Sequence, residues 1–257
     1  MECRQIIEHI EKLAPATLAA EWDNVGLQVG LPDTEVTNVL VSLDLNTDVV
    51  SEALENNVQL IVTHHPLLFR PIKTIVYDDY KGKLIYSLIR NNISYYCAHT
   101  NLDFATGGTN DLLACRVGLM NAAKKIEGHE IIFENGRMGE LDTAQSLSKF
   151  IDILKTNIGI DYVRLIGSVN SIKKVAVAAG SFDRKLLEYI SGKVDVIVCG
   201  DLKYHDAREI IDSGMCAIDI GHYGSEKIII DTITQYISEL GVNAMASKID
   251  LNPFKYI

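Results

Sequence analysis

Val58-Gln59-Leu60-Ile61-Val62-Thr63-His64-His65-Pro66 reads as a strand covered on both faces that then stops abruptly. Leu60, Ile61 and Val62 are consecutive and apolar, the pattern of a parallel strand flanked by helices rather than the alternation of a strand with one wet face. Successive side chains on an extended strand point to opposite faces, so His64 and His65 serve one site only if the chain turns there. Pro66 supports that turn, because it restricts His65 and removes a donor from the ladder. A second segment repeats the plan: the apolar run Ala217-Ile218-Asp219-Ile220 leads into Gly221-His222-Tyr223-Gly224-Ser225-Glu226. Ligands in open α/β sheets gather just past the carboxyl ends of strands. Asp103, in the similar strand-end segment His99-Thr100-Asn101-Leu102-Asp103, adds a further carboxylate. His64, His65, Asp103, His222 and Glu226 are all nitrogen or oxygen donors, enough for two divalent metals sharing a carboxylate. Zinc, iron, manganese and nickel all accept such a set.

The composition narrows the setting. A chain of 257 residues with 47% hydrophobic content has material for one large α/β unit or two smaller domains. A formal charge of −10 argues against broad attraction to nucleic acid or anionic membrane, because neutralising phosphates needs clustered Lys and Arg. No apolar run approaches the roughly 20 residues that span a bilayer, and the expected location is cytoplasmic. The five cysteines are scattered and include no C-x-x-C pair, so the reading is of reduced core thiols rather than disulfides or a thiolate zinc site.

Helix and strand signals alternate from end to end, which favours an α/β fold. Cys3, Ile6, Ile7, Ile10 and Leu13 recur at helical spacing, as do Leu147, Phe150, Ile151, Leu154 and Ile158. Strands are expected at 39–43, 60–62, 94–98, 162–166, 175–179, 194–198 and 216–220. The two halves also match each other: Val39, Val41, Leu54, Val58, Leu60 and Val62 have apolar counterparts 136 residues later in Val175, Val177, Ile190, Val194, Val196 and Val198. A looser continuation sets Tyr96-Cys97-Ala98-His99 against Cys216-Ala217-Ile218-Asp219. Either any two βαβ units look this alike, or the chain contains an internal duplication with a metal cleft between two related α/β domains. The boundary is expected between Gly118 and Gly128, giving domains 1–124 and 125–257, with the stretch from Val242 returning to the first.

Other segments carry alternatives. His222 and Glu226 share a face if Tyr223 opens a helix, whereas Gly221 and Gly224 suggest a loop. Thr109, after Gly107-Gly108, either caps a helix beginning near Asn110 or helps its amides hold an anion. Glu21-Trp22-Asp23-Asn24 reads either as a polar cluster of functional weight or as a buried Trp with local turn hydrogen bonds. Arg70 and Lys73 are either phosphate contacts or solvated charges.

Five ordered motifs then converge: Glu21-Trp22-Asp23-Asn24-Val25-Gly26-Leu27, Thr63-His64-His65-Pro66-Leu67, His99-Thr100-Asn101-Leu102-Asp103, Gly200-Asp201-Leu202-Lys203-Tyr204-His205 and Asp219-Ile220-Gly221-His222-Tyr223-Gly224-Ser225-Glu226. Through them the whole chain resembles the Nif-three-like proteins, also called GTP cyclohydrolase I type-two homologs. The resemblance implies two related α/β domains, a dinuclear metal centre and a toroidal homohexamer. By motif match it carries the metal ligands to His64, His65, Asp103, His222 and Glu226, and it sets His99, Asp201 and His205 in the pocket as proton-transfer or orienting residues. It further implies a hydrolase that acts on a purine nucleotide or other phosphorylated ligand through metal-activated water. The alternative is a metal-binding ring that regulates or binds partners without turnover.

Overall fold

The computed structural model describes residues 1–124 and 134–255. The chain opens with α1 (Cys3–Leu13), β1 (Gly26–Val29), β2 (Asn38–Ser42), α2 (Thr47–Glu55) and β3 (Leu60–Thr63). It continues through α3 (Tyr80–Arg90), β4 (Ser94–Cys97), α4 (Thr100–Phe104), α5 (Thr109–Val117), β5 (Leu119–Ala123) and β6 (Arg137–Gln145). Next come α6 (Leu147–Ile158), β7 (Arg164–Ile166), β8 (Ile172–Ser181), α7 (Lys185–Ile190) and β9 (Val196–Gly200). The last elements are α8 (Tyr204–Asp212), β10 (Ala217–Asp219), α9 (His222–Glu226), α10 (Ile229–Ser238) and β11 (Asn243–Ala246).

Two units divide the chain. The first comprises residues 1–106 and 229–251, around a five-stranded sheet of order β1-β4-β3-β2-β11. Three parallel pairings run β11 to β2 to β3 to β4, with β1 added antiparallel at the edge of β4. Leu40, Ile61 and Tyr95 bury one face against Val49 and Ala53 of α2 and Leu84 and Leu88 of α3. Such helices start where side chains satisfy their first amides: Asn46 accepts from Val49 N at 2.8 Å and Asp79 from Gly82 N at 3.1 Å. Helix α10 lies on β2, where Ile229 and Ile233 line a small gap with Val41 and Val62. Every residue of β3 is therefore buried, as its unbroken apolar run requires.

The second unit comprises residues 107–228 and the stretch from Asn252, around a six-stranded sheet of order β5-β6-β8-β9-β10-β7. Strands β8, β9 and β10 pair in parallel, and the others are antiparallel. Val175, Val177, Val198 and Ile218 pack with Leu113 of α5 and Phe150 and Leu154 of α6. The opposite face sets Ala176, Ile197 and Cys199 against Leu186 and Ile190 of α7 and Ile210 of α8. This is a mixed α/β protein with two sheets, and each expected strand is present. The expected 162–166 strand is trimmed to Arg164–Ile166, and β1, β5, β6 and β11 are additional.

The chain enters the second unit at Gly107, before the interval from Gly118 to Gly128 marked by the sequence. The reason is α5, whose apolar face packs on β8 and α6. The return to the first unit also begins earlier than Val242, at Ile229, because α10 packs on β2.

The 136-residue correspondence extends to pairing register. Val39 faces Leu60 and Val41 faces Val62 in the first sheet, while Val175 faces Val196 and Val177 faces Val198 in the second. The looser continuation shifts: Val62 faces Tyr96 and Val198 faces Ile218, so Tyr96 matches Ile218 rather than Cys216. With that two-residue correction, the five residues of α4 match the five of α9. Four cysteines are buried and Cys115 is exposed, so the reading of all five as core thiols fails for Cys115; none is in a disulfide. Among the described residues no helix is long and apolar enough to cross a membrane.

Candidate metal centre

In the first unit the site is built where β3 and β4 end. Beyond Thr63 the backbone keeps two contacts with the strand next door, from His64 N to Ser42 O at 3.3 Å and from His65 N to Leu43 O at 2.9 Å. The turn is then pinned at one carbonyl: Thr63 Oγ1 and Tyr95 OH donate to His65 O at 2.7 and 2.9 Å. Tyr95 OH also accepts from Leu67 N at 3.0 Å, and burial raises the phenol's pKa so that it stays a donor. This turn lets adjacent histidines address one region.

Each of the three imidazoles at this site is held through Nδ1. His64 Nδ1 donates to Ala98 O at 2.9 Å, His65 Nδ1 to Asp44 Oδ1 at 2.8 Å and His99 Nδ1 to Asp23 Oδ1 at 2.9 Å. A neutral imidazole that donates from Nδ1 carries its lone pair on Nε2, the tautomer a metal takes. The three rings form a triangle with centroids 5.1, 5.3 and 5.6 Å apart. One nitrogen from each lies within 4.8 Å of the others, close enough to share an ion. Asp103, on α4, sets Oδ1 3.4 Å from His64 Nε2. His99 is thus held as a ligand is held, a closer association than the sequence suggested.

Asp23 explains the weight of its motif. Its carboxylate accepts from His99 Nδ1, accepts from Thr100 N at 3.0 Å and bonds the Thr100 hydroxyl, so it caps α4 and orients an imidazole together. Burial would raise its pKa, but the bonds from His99 and Thr100 outweigh it and bring the carboxyl down to about 2. The alternative of a buried tryptophan does not hold: Trp22 is 62% exposed, edge-on to Phe69 and His99.

In the second unit the site lies past β9 and β10. Residues His222 to Glu226 form a short helix, not the loop suggested by the flanking glycines, and i,i+4 spacing brings His222 Nε2 within 3.0 Å of Glu226 Oε2. His222 Nδ1 donates to Asp201 Oδ2 at 2.8 Å, the same use of Nδ1 as at His64, His65 and His99. Asp201 therefore positions the His222 ring. Asp219 braces both loops, its Oδ1 accepting from Gly221 N at 2.8 Å and its Oδ2 from Leu202 N at 3.0 Å and from Arg164. Glu226 is 2% exposed and lies against Gly180, where a Cβ would come 2.3 Å from Oε1. Gly180 N donates to Ser225 Oγ at 2.9 Å, locking α9 onto the end of β8.

His205 lies apart, exposed on α8 with its ring edge-on to Tyr204. Arg70 and Lys73 are both exposed. Thr109 is the first residue of α5, with Gly108 at the cap position, so it does not cap the helix. Sequence reasoning missed Asp44, although it follows β2 and the strand-end rule that found the other residues applies to it equally. Four imidazoles with outer acceptors, two buried carboxylates and no thiolate suit first-row divalent metals.

Comparison with known proteins finds relatives along nearly the whole chain. The profile of the family described as Duf34/NIF3 (NGG1p interacting factor 3) matches residues 1–253. A Clostridium perfringens protein named GTP cyclohydrolase 1 type 2 homolog is 35% identical, with both chains covered completely. Reduced HcgD from Methanocaldococcus jannaschii superposes with a TM-score of 0.85 at 31% identity, covering 97% of this chain and 98% of that one. A Bacillus cereus protein related to NIF3 has the same fold, with a TM-score of 0.89 at 24% identity and coverage of 100% and 99%. A profile match over residues 1–253 and a full-length relative at 35% identity establish that the protein belongs to the DUF34/NIF3 family.

Proposed function

We propose that the protein is a metal-dependent hydrolase that binds about two divalent ions per subunit and acts on a purine nucleotide. One observation carries the reading: all four imidazoles at the two strand-end sites are fixed through Nδ1 by a carbonyl or carboxylate. That arrangement is costly to assemble for packing alone and is the usual support of metal-ligating histidines. The ligands proposed are His64, His65, Asp103, His222 and Glu226, with zinc, iron, manganese or nickel as the metal. Bound there, such ions supply an activated water and polarise the electrophile. Asp44 and Asp201 hold His65 and His222 in the required tautomer, and Asp23 does the same for His99. His99, hydrogen-bonded to Asp23, is the proton-transfer residue in this reading. The nucleotide class rests on the name of the relatives, GTP cyclohydrolase 1 type 2 homolog.

The experiment compares nucleotide hydrolysis by the parent, His99→Ala and His205→Ala at equal metal loading, with His65→Ala as the metal-deficient control. A proton-transfer role for His99 predicts a loss of roughly 10²–10⁴-fold with metal retained. His205, exposed on α8, is expected to matter only through substrate contact. Parent-like rates in both variants, or activity that disappears on further purification, support a second reading: a metal-binding regulatory or interaction protein. That reading is favoured by the ligand-like setting of His99 and by the family's description as an interacting factor.

We also propose a cytoplasmic homohexamer, in which closed symmetry covers the association surfaces. Light scattering is expected to give a mass near six subunits, and a monomer mass at all working concentrations contradicts the assembly. The charge of −10 disfavours nucleic acid as the partner.

A further inference from the structure

Three of the strand-end histidines, His64, His65 and His99, form a set that lies wholly within the first unit. One ring nitrogen from each lies within 4.8 Å of the other two. They arrive from different elements, His64 and His65 from the turn after β3 and His99 from the position just before α4. His99 is fixed on two sides. Its amide donates to Asn101 Oδ1 at 2.9 Å, and Asn101, fully buried, donates to Ala14 O at 2.8 Å. Its ring donates to Asp23, which the Thr100 amide and hydroxyl also bind, while Ala20 N donates to that hydroxyl at 3.0 Å. So many ordered groups around one imidazole are the support of a built position rather than of a loose surface ring.

The chemistry of the set is that of a three-histidine metal site. Because each Nδ1 donates outward, each neutral ring carries its lone pair on Nε2. Two of the three acceptors are carboxylates, Asp44 and Asp23, whose charges together balance a divalent cation and make the imidazoles better donors. Three imidazoles without a thiolate are the donor set of a tetrahedral zinc-type ion with one further position. Asp103 is the residue at hand for it, with Oδ1 3.4 Å from His64 Nε2. Two ligands each about 2.0–2.1 Å from one tetrahedral ion lie about 3.3–3.4 Å apart, so this pair has the spacing of neighbours on a single metal.

We propose that His64, His65 and His99 form a mononuclear site that takes one divalent ion without any donor from the second unit. The function proposed above gives His64 and His65 to a two-ion centre and His99 to proton transfer; the two assignments describe different loading states of the same residues. In the singly loaded protein His99 is a ligand. In the doubly loaded protein His222 and Glu226 supply donors that release His99 to move a proton. Metal supply thereby controls whether the proton-transfer residue is available. The inference rests on the metal binding of that reading and on neither its substrate nor its hydrolysis.

The test is zinc binding to the full chain, stripped of metal, read by calorimetric titration and elemental analysis. His222→Ala and Glu226→Ala together remove the donors of the second unit, and this double variant is expected to bind about one zinc ion per subunit. Adding His99→Gln is expected to weaken that binding by about 100-fold or more, and adding Asp23→Asn, which keeps every ligand atom, by about 10–100-fold. Circular dichroism checks that each variant is folded, and Asp23→Asn carries the test should His99→Gln unfold, because asparagine still caps α4. A double variant that binds no zinc overturns the three-histidine site, and leaves the two-ion centre standing if the parent binds two. Affinity unchanged by both His99→Gln and Asp23→Asn overturns it as well. A parent that binds a single ion, lost with His99→Gln and kept by the double variant, instead overturns the two-ion reading and supports the three-histidine site.

Discussion

Gly180→Ala is expected to strip metal from the protein although Gly180 supplies no ligand atom. Its φ is +71°, where an L side chain costs roughly 1–2 kcal/mol, and its added Cβ would fall 2.3 Å from Glu226 Oε1. Glu226 is 2% exposed, so its carboxylate has no open space to take and either α9 or the end of β8 must shift. Gly214→Ala separates the two effects. Gly214 has nearly the same φ, +70°, but nothing lies within 4 Å of the position its Cβ would occupy. Gly214→Ala should therefore lower the melting temperature by a few degrees, as expected for about 1 kcal/mol, while keeping its metal. Gly180→Ala should lose half or more of the metal, measured by elemental analysis. Equal metal in the two variants would show that contact with Gly180 does not set the position of Glu226.

The other large effect is expected from Asp103→Asn and Glu226→Gln. Both carboxylates are buried beside an imidazole, Asp103 near His64 and Glu226 near His222. The amides preserve volume but remove the negative charge that offsets a bound cation, so each variant should lose at least one ion while remaining folded. The pH dependence has a fixed sign. A metal takes the neutral form of histidine, whose ordinary pKa is about 6.5, so protons compete and affinity falls as pH drops below that value. Metal retained in full by both amide variants, or retained unchanged near pH 5, contradicts the assignment.

The strands that bear the site were legible because β3, β8, β9 and β10 are short apolar runs that end in polar or glycine residues. Those same runs gave the 136-residue correspondence, and the pairing registers follow it. Edge strands β1 and β5 were not legible, since Gly26-Leu27-Gln28-Val29 and Leu119-Met120-Asn121-Ala122-Ala123 lack an unbroken apolar run. The early crossing at Gly107 was hidden for another reason: the packing partner of α5 is a tertiary fact that its own periodicity does not contain. Side-chain support was the least visible layer. Asp44, Asp23 and Asp201 lie 21, 76 and 21 residues from the histidines they hold, and nothing local in the sequence pairs them. His222 and Glu226 illustrate a direct conflict, in which glycines that signal a loop are absorbed because Gly224 sits inside α9 and Gly221 at its cap.

The central claim is that two strand-end sets of histidine and carboxylate exist to bind metal. Its most direct test is elemental analysis of the parent protein purified without chelator, then stripped and dialysed in turn against zinc, iron, manganese and nickel. The account predicts about two divalent ions per subunit, as in centres that bind and activate a water between two metals. A protein that purifies without metal and takes up none of the four would contradict it.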